Sequence, residues 1–448
     1  RTPDDLRRAL PEGLALVDLL EYSHFTPQAK GRRAWERRLT AFVVRKDRPV
    51  ASIDLGAVAT LAEDVERWRA SIRRRTRPAF SPNDPAALLR EQLWQPLEPY
   101  LKDAATVLIS PDGVVTRLPW GALPGATPDK YLLEERNIAV LAVPQFLPEL
   151  LAAAKTADER AASLLLVGDV DYEAAAGKAD VEIASRGLAT VLQRGGGASW
   201  KRLPGTKKEA AAIHTLYQRC FPTGTTKLLD AGTATEGAVR EAAPRYTWLH
   251  LATHGYFAPQ KVNAALGRDK RRLESRMSLA EQRGFLGFPQ GLLAGVVLAG
   301  ANKGDGEDED DGVLTALEVA ELDLRGVELA VLSACETGLG VKASGEGLLG
   351  LQRAFQVAGA HSVAASLWSV PDEATRVLME RFYDNLWRKK MGRLAALREA
   401  QLWLLREGQR QPQLRRGLDL VRDEPGDVAA RRLPPYYWAA FVLSGDWR

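Results

Sequence analysis

Two short segments of the chain place a histidine and a cysteine where the two could act together. Residues 249–257 read LHLATHGYF and residues 332–340 read LSACETGLG, and each segment passes from an apolar run into small residues just before the histidine or the cysteine. A strand that stops in such a turn presents the next side chain at the edge of a sheet, where open α/β folds bind their ligands. His254 and Cys335 are therefore candidates for one shared site.

A thiol beside an imidazole is the smallest set of groups that makes a cysteine nucleophile. A free thiol with a pKa near 8.5 is mostly protonated at neutral pH, whereas a neighbouring imidazole can take its proton and later give it to a leaving amine. Gly255 adds a backbone N–H that no Cβ obstructs. We therefore predict Cys335 as the nucleophile, His254 as the general acid and base, and the N–H groups of Gly255 and Cys335 as the oxyanion site.

Each of these residues also has a plainer interpretation. A lone cysteine at a strand end is more often an inert small apolar side chain, and we keep that interpretation for Cys220. His250 lies four residues before His254, but a zinc-binding helix would need Glu at position 251, where this chain has Leu. We therefore predict His250 to be a buried histidine with its hydrogen bonds satisfied, and we predict no metal site.

Several longer segments, taken with the two above, resemble a known family. The chain is similar to the CHAT family, caspase-like peptidases that are often joined to tetratricopeptide repeats and are related to separase, over roughly residues 85–448. The segments that carry the resemblance read PDGVVTRLPWGALPG (111–125), LPGTKKEA (203–210), DGVLTALEVAELDL (311–324), GEGLLGLQRAFQVAGAHSVAASLWSVPDEAT (345–375) and PYYWAAFVLSGDW (435–447). The loose caspase signature of Ala334, Cys335 and Gly338 has one extra residue before the glycine.

The resemblance implies a protein substrate and a particular substrate pocket. In caspase-like folds the chain after the fifth strand pairs its backbone with the substrate peptide, which here corresponds to residues 366–370, from Ser366 onward. Trp368 would then either wall the pocket or pack beneath it. Asp372 resembles the acid that reads a basic residue in separase, but it could equally cap the helix that follows it. Asp169, after the first core strand, is a secondary candidate.

Composition bounds the remaining classes of protein. The formal net charge of +4 is small for 448 residues, and the basic runs lack a nucleic-acid-binding motif, so we expect no nucleic-acid partner. The longest apolar stretch, residues 291–301, is shorter than the about 20 residues that cross a bilayer, so we expect no membrane partner. Only Cys220 and Cys335 are present, which excludes a disulfide framework and favours a reducing, cytoplasmic location.

The order of predicted elements gives the fold class and the domains. We predict an N-terminal α/β wing over residues 1–155 and a caspase-like core over residues 156–448, with a mostly parallel six-stranded sheet flanked by helices. The part of the wing from about residue 85 belongs to the CHAT-like region. The predicted core strands are Ser163–Val167, Thr226–Leu229, Tyr246–Ala252, Glu328–Ser333, Ser362–Leu367 and Ala440–Leu443.

Local signals add helix ends and one acidic loop. Thr233 with Glu236, and Thr315 with Glu318, both fit the capping box that begins a helix. Gly359 is expected to end a helix over residues 347–358. Residues 304–312 read GDGEDEDDG, which we interpret as a solvated loop rather than a weak Ca²⁺ site, since they lack the twelve-residue EF-hand layout.

The sequence supports two functions from different classes. The first is a cysteine endopeptidase that cleaves proteins through an acyl-enzyme, without metal or organic cofactor, and is regulated by a partner protein or a fused repeat domain. The second is a catalytically silent scaffold for protein–protein interaction on the same fold. The scaffold predicts no labelling of Cys335 by a mild thiol electrophile above that of Cys220.

Overall fold

The structure is a computed structural model, and it describes part of the chain. The described residues are 3–27, 33–75, 83–153, 161–174, 199–257, 294–303, 310–333, 335–336, 346–411, 414 and 432–448. The greater part of the predicted acidic loop, residues 304–309, lies outside them.

The strands of the described residues are numbered in chain order. They are β1 (Leu14–Pro27), β2 (Arg33–Arg45), β3 (Ala51–Ala57), β4 (Thr106–Ser110), β5 (Asn137–Val140), β6 (Ser163–Val170), β7 (Thr225–Ala231), β8 (Trp248–Leu251), β9 (His254–Phe257), β10 (Ala294–Val297), β11 (Val313–Thr315), β12 (Leu329–Leu332), β13 (Cys335–Glu336), β14 (Ser362–Ser366) and β15 (Phe441–Gly445).

The α-helices are numbered in the same way. They are α1 (Pro3–Ala9), α2 (Val58–Arg73), α3 (Pro85–Leu89), α4 (Glu98–Leu101), α5 (Leu132–Glu135), α6 (Leu147–Ala153), α7 (Pro204–Cys220), α8 (Glu236–Ala242), α9 (Ala316–Ala320), α10 (Glu346–Val357), α11 (Asp372–Tyr383), α12 (Arg393–Glu407) and α13 (Pro435–Trp438). Among the helices that the structure describes, none has the length and apolar character needed to cross a bilayer.

The chain divides into two compact units. One consists of Arg1–Asp158 together with Asp384–Arg448, and the other of Glu159–Tyr383. The predicted division put residues 384–448 with the peptidase core, whereas their contacts group them with the N-terminal part. Within the first unit, β15 pairs in parallel with β5.

The first unit is built on a mixed sheet. Its strands lie in the order β3, β2, β1, β4, β5 and β15. The long β1–β2 hairpin and the β2–β3 pair are antiparallel, whereas β4 runs parallel to both β1 and β5. Asp47, in the turn between β2 and β3, has a φ of 51°, a conformation that Asp tolerates because its short side chain can bond locally.

The second unit is built on a parallel sheet. The described strands lie in the order β14, β12, β8, β6 and β7, and every adjacent pair is parallel. Five of the six predicted core strands are present in this unit, with ends that shift by a few residues, and the sixth, Ala440–Leu443, is β15 of the first unit. The predicted fold class of a mostly parallel sheet flanked by helices is confirmed. β7 lies on one side of β6, and β8, β12 and β14 follow one another on the other side. The direction in which strands are added therefore reverses between β6 and β8.

The two faces of this parallel sheet have different coverings. One face carries Leu165, Leu249, Ala330 and Val363, which belong to a single buried cluster with apolar residues of α8, α9 and α10. The alternate residues point to the other face because side chains alternate along a strand. There His250 of β8 bonds to residues of α7 and α11.

A second, smaller sheet adjoins this unit and was not predicted. In the described residues it contains β11, β10, β9 and β13 in that order. β10 is antiparallel to both β9 and β11, and β13 is parallel to β9. His254 and Cys335 are the first residues of β9 and β13.

The two predicted capping boxes have opposite outcomes. Thr315 caps α9 and exchanges hydrogen bonds with Glu318, so that prediction is confirmed. The prediction for Thr233 is wrong, because its hydroxyl donates to Asp230 O at 2.7 Å within a turn. Thr235 caps α8 instead, and its hydroxyl accepts the Ala238 N–H at 3.2 Å.

The end of the acidic loop is buried, contrary to its interpretation as a solvated segment. Asp310 and Asp311 are 3% and 7% exposed. The Asp310 carboxylate accepts the N–H groups of Glu236 and Gly237 at 3.1 and 3.2 Å, and so caps α8 from a distant part of the chain. These two residues therefore serve the packing of the second unit.

Gly359 ends α10 as predicted. Its φ is +110°, a conformation that side-chain-bearing residues rarely adopt. A Cβ at this position would lie 2.8 Å from Arg325 N, so the close approach of the two segments also requires glycine.

Candidate functional site

Two adjacent parallel strands bring the backbones of His254 and Cys335 together. β8 and β12 pair in register, with Leu332 opposite Leu251. The same number of residues follows each of these two strands, and the pairing resumes between β9 and β13, where Cys335 lies opposite His254. The site lies beyond the carboxyl ends of β8 and β12, as predicted, and next to the reversal of strand order between β6 and β8, where such sheets bind ligands.

The imidazole of His254 is held in one tautomer. The residue is 5% exposed, and its Nε2 lies 2.7 Å from the carbonyl oxygen of Lys201. A carbonyl can only accept, so Nε2 carries the proton when the ring is neutral. Nδ1 is then the unprotonated, basic nitrogen of the ring.

Two aromatic rings flank the His254 imidazole. The Tyr172 ring centroid lies 5.1 Å from that of His254 and the Trp200 centroid 5.3 Å, with interplanar angles of 44° and 41°. Burial lowers the pKa of His254, and the hydrogen bond to Lys201 O opposes this effect. Burial therefore favours the neutral form of the His254 ring.

Tyr172 is fixed by a chain of hydrogen bonds that ends on β10. Thr253 Oγ1 donates to Val297 O at 2.6 Å, so at 2.8 Å the Tyr172 hydroxyl must be the donor to Thr253 Oγ1. The phenol oxygen also accepts the backbone N–H of His254. Burial raises the pKa of Tyr172 to about 12, so this hydroxyl keeps its proton.

The segment of residues 200–207 links His254 to the predicted acids. Arg202 Nε lies 3.0 Å and Lys207 Nζ 3.1 Å from the carboxylate of Asp169. Asp169 is 7% exposed, has a φ of 53°, and donates its N–H to Thr206 Oγ1 at 2.8 Å. Desolvation raises its pKa, but the hydrogen bonds and charges of these two basic side chains outweigh it, and the pKa is lowered. Asp169 is thus ion-paired with this segment.

Asp372 also contacts this segment. It is the first residue of α11, and its carboxylate accepts the N–H of Gly205 near the start of α7. A Cβ on Gly205 would lie 2.0 Å from Asp372 Oδ2, so the contact depends on glycine. Although the residue as a whole is exposed, desolvation of this packed carboxylate raises its pKa, and the nearby charge of Glu209 adds to the effect. Asp372 therefore caps α7, a role that was not anticipated.

The other predicted substrate-binding residues lie at the end of β14. Ser366 and Trp368 are 2% and 5% exposed, and Ser366 Oγ donates to Trp368 O at 2.7 Å. Trp368 is thus packed beneath the surface. Gly255 lies within β9, opposite Val296 on one side and Glu336 on the other.

His250 is a satisfied buried histidine, as predicted. It is fully buried, and its Nε2 and Nδ1 lie 3.1 Å from Glu209 Oε1 and from the Tyr383 hydroxyl. His250 and His254 do not share one strand, because β8 ends at Leu251 and His254 begins a strand of the smaller sheet.

A buried acidic group stands apart from this site. Glu236, Asp310, Asp311 and Glu318 are all buried, and desolvation, with added repulsion among these acids, raises the pKa of Glu236 to about 9 and that of Asp311 to about 6. Within the described residues, no group of three or more His, Cys, Asp or Glu side chains is arranged to hold a metal ion.

Comparison with known proteins gives the family. The family model described as the CHAT domain matches residues 83–446. The chain belongs to the CHAT family.

The curated relatives of this CHAT chain are much longer proteins. It is 26% identical over 281 residues to tetratricopeptide repeat protein 28 of Homo sapiens, a match that covers 61% of this chain and 10% of the relative. It is 39% identical over 74 residues to the Mus musculus protein of the same name, covering 16% of this chain and 3% of that one. The chain therefore spans a small part of the curated relatives it matches.

Similar solved structures are distant. The Arg-specific cysteine proteinase gingipain R has a TM-score of 0.40 and 9% identity, and the match covers 87% of this chain and 74% of that one. Separase in the Saccharomyces cerevisiae separase–securin complex has a TM-score of 0.45 and 9% identity, covering 99% and 31%.

Sequence analysis missed several residues that shape the site of this CHAT chain. Tyr172, Trp200 and the carbonyl of Lys201 surround the His254 ring, and Asn302 bonds to the first two. Tyr172 follows the carboxyl end of β6, the position that had suggested Asp169, so the topological rule could have found it. A backbone carbonyl leaves no signal in a sequence.

Proposed function

We propose that this chain is a cysteine endopeptidase in which Cys335 is the nucleophile and His254 the general acid and base. The observation that carries the proposal is the register of β9 and β13, which pairs the backbones of these two residues. Membership of the CHAT family and the single neutral tautomer of His254 support it.

The proposed reaction begins with a neutral thiol and a neutral imidazole. The lowered pKa of His254 disfavours a standing imidazolium, so the thiol proton passes to Nδ1 as the sulfur attacks the scissile carbonyl carbon. The imidazolium that forms keeps its Nε2–H bond to the Lys201 carbonyl, which stabilises the new positive charge.

The later steps return the proton and release both products. The oxygen of the tetrahedral intermediate carries the negative charge, and we propose that the N–H groups of Gly255 and Cys335 stabilise it. When the C–N bond breaks, the imidazolium protonates the leaving amine and an acyl-enzyme thioester remains. His254 then takes a proton from water, which attacks the thioester, and the thiol is regenerated.

Regulation by another domain or protein is part of the proposal. Both curated relatives are named as tetratricopeptide repeat proteins, and this chain covers only a small part of each. We propose that a fused repeat domain or a separate regulatory protein controls the peptidase. The peptidase itself is proposed to cleave proteins in the cytoplasm.

We further propose a preference for Arg or Lys before the cleaved bond, with Asp372 as the residue that reads it. Gly205, which Asp372 contacts, is four residues after Lys201, the partner of His254. Four extended residues span at most about 14 Å, so Asp372 lies within reach of a bound peptide. The Gly205 N–H bonds to only one of the two carboxylate oxygens of Asp372. Because Asp372 is exposed, its other oxygen is available to a guanidinium.

Asp372→Asn is expected to lower kcat/KM for substrates with Arg before the cut by about tenfold or more and to leave Leu substrates unchanged. Asparagine keeps an oxygen that can accept the Gly205 N–H, so the change should cost about 1 kcal/mol of stability at most. The measurement is a fluorogenic peptide series that differs only at this position. Glu373→Gln is the matched control, since Glu373 is the next residue and pairs with Arg376. An equal loss for all substrates, or a wild-type preference for Leu, Met or Asp, would contradict the assignment.

Thiol labelling tests the peptidase proposal itself. At neutral pH a mild electrophile such as iodoacetamide should label Cys335 about tenfold faster than Cys220, and His254→Ala should remove the difference. Mass spectrometry of digested protein reads both cysteines in the same sample, and the half-buried Cys220 is the internal control. Equal labelling of the two cysteines, together with no cleavage of a peptide library, would instead favour the silent scaffold.

A further inference from the structure

Asn302 lies between the two chain segments whose rings flank His254. It follows β10 by a short turn, and its backbone N–H donates to Tyr172 O at 2.9 Å. Its side chain reaches the other flank and bonds to the backbone of Trp200. One residue thus contacts both segments.

The side chain of Asn302 brackets the backbone of Trp200. Its Oδ1 accepts the Trp200 N–H at 2.8 Å, and its Nδ2 donates to Trp200 O at 3.0 Å and to Glu173 Oε1 at 2.5 Å. These partners fix the orientation of the amide, because only its oxygen can accept and only its nitrogen can donate. The amide therefore binds both backbone groups of one residue, as an adjacent strand would.

The bracketed residue directly precedes the partner of His254. The Lys201 carbonyl, which accepts the hydrogen bond from Nε2–H, follows Trp200 in the chain, and the Trp200 ring packs on the imidazole. A displacement of the Trp200 backbone would move both the ring and the carbonyl. The histidine would then lose the contact that selects its tautomer.

The ion pairs of this segment are weaker anchors, and its buried bond from the Asp169 N–H to Thr206 Oγ1 lies five residues beyond Lys201. Arg202 and Lys207 pair with Asp169, but their side chains are 54% and 72% exposed. Exposed ion pairs contribute about 0–1 kcal/mol each and are screened by salt. The bracket from Asn302 consists of directional hydrogen bonds that are half-buried, and each such bond typically contributes about 1 kcal/mol. Among the residues that the structure describes, Asn302 therefore supplies the principal hydrogen-bonding anchor of Trp200 and Lys201.

We propose that Asn302 is a positioning residue that holds His254 in its Nε2–H tautomer through the backbone of Trp200 and Lys201. The catalytic meaning of this role rests on the proposed peptidase function, but the tautomer itself does not.

The first test reads the tautomer without any activity measurement. In the full chain labelled with ¹⁵N histidine, the His254 signals are identified by their loss in His254→Ala. We expect the nitrogen shifts of wild type to show a proton on Nε2 alone. In Asn302→Ala they should move toward the average of two exchanging tautomers, because the carbonyl that selects one is no longer fixed. Unchanged shifts in Asn302→Ala would overturn the proposal.

The second test separates positioning from general stability. Asn302→Ala should lower kcat about 10- to 100-fold and leave KM within a few-fold, as expected for a misplaced catalytic group. The matched control is Asn385→Ala, which removes a fully buried amide bonded to Ala396 O at 3.0 Å. That variant should lose stability but keep the His254 tautomer and kcat. A loss of stability alone in Asn302→Ala would also overturn the proposal.

A charge-compensated pair gives a rescue experiment and a second route if Asn302→Ala does not fold. Asn302→Asp keeps the acceptor for the Trp200 N–H but places a second carboxylate beside Glu173. Adding Glu173→Gln restores a donor there, so the double variant should recover part of the lost kcat and of the Nε2–H signal. No recovery relative to Asn302→Asp would contradict the bracket. If wild type shows the fixed tautomer but no turnover, the peptidase proposal fails and the positioning role stands.

Discussion

Cys335→Ala and His254→Ala are each expected to lower peptide cleavage by at least about 10⁴-fold while the protein stays folded. The expected loss is this large because thiol and imidazole act as one unit, so that either group alone supplies little catalysis. For the same reason the double variant should be barely slower than either single one. The measurement is kcat/KM for a cleaved peptide, with circular dichroism to confirm folding.

Two matched variants control for the loss of a cysteine or a histidine as such. Cys220→Ala removes the other cysteine, and His214→Ala removes a half-buried histidine whose Nε2 bonds to Thr226 Oγ1 at 3.1 Å. Both should keep nearly full activity. Appreciable turnover by Cys335→Ala would refute the proposed thiol mechanism.

The stability of the protein is expected to fall as the pH is raised from about 5 to about 9, and Glu236→Gln should remove most of this dependence. Burial and three neighbouring acids raise the pKa of Glu236 to about 9 from an ordinary value of 4.5. Between these values the folded state holds a proton that the unfolded state has released. Folding therefore weakens with rising pH, by up to about 1.4 kcal/mol per unit. Below pH 4.5 both states are protonated, and the effect vanishes.

Glutamine fits this environment at every pH. Its oxygen can still accept from Arg240, which pairs with Glu236, and its amide is a neutral donor like the protonated carboxyl. The urea midpoint of Glu236→Gln should exceed that of wild type at pH 8 and match it near pH 5. Glu241→Gln is the control, since this glutamate lies on the same helix with its side chain 65% exposed. A wild-type midpoint that does not change with pH would refute the expectation.

The parallel sheet of the second unit was predictable because its strands carry their own signals. Runs such as the SLLLV of β6 and the LAVL of β12 are continuous apolar segments bounded by turns, as expected for strands buried on both faces. Side-chain alternation then determines that His250 points to one face. The short motifs after β8 and β12 likewise predicted that His254 and Cys335 belong together, since both follow strands at one edge.

Local capping signals show where such reasoning stops. The Thr-x-x-Glu pattern occurs at Thr233 and at Thr315, and it caps a helix only at Thr315. At Thr233 the hydroxyl turns back to Asp230, and the N–H groups at the start of α8 are taken by Asp310 from far along the chain. The patterns at Thr233 and Thr315 are equivalent in sequence. Their different outcomes depend on long-range contacts such as the hydrogen bond that Asp310 accepts at the start of α8.

The chain by itself thus determined the parallel strands, the helix end at Gly359 and the identity of the candidate histidine and cysteine, because all of these depend on residue type and local periodicity. Tertiary structure decided what surrounds them. Backbone groups form the smaller sheet and pair Cys335 with His254. They also make the contacts of His254 with the Lys201 carbonyl, of Asp372 with Gly205 and of Asn302 with Trp200. Every residue carries the same N–H and C=O, so no residue type marks which of them will meet, and only the folded chain selects them.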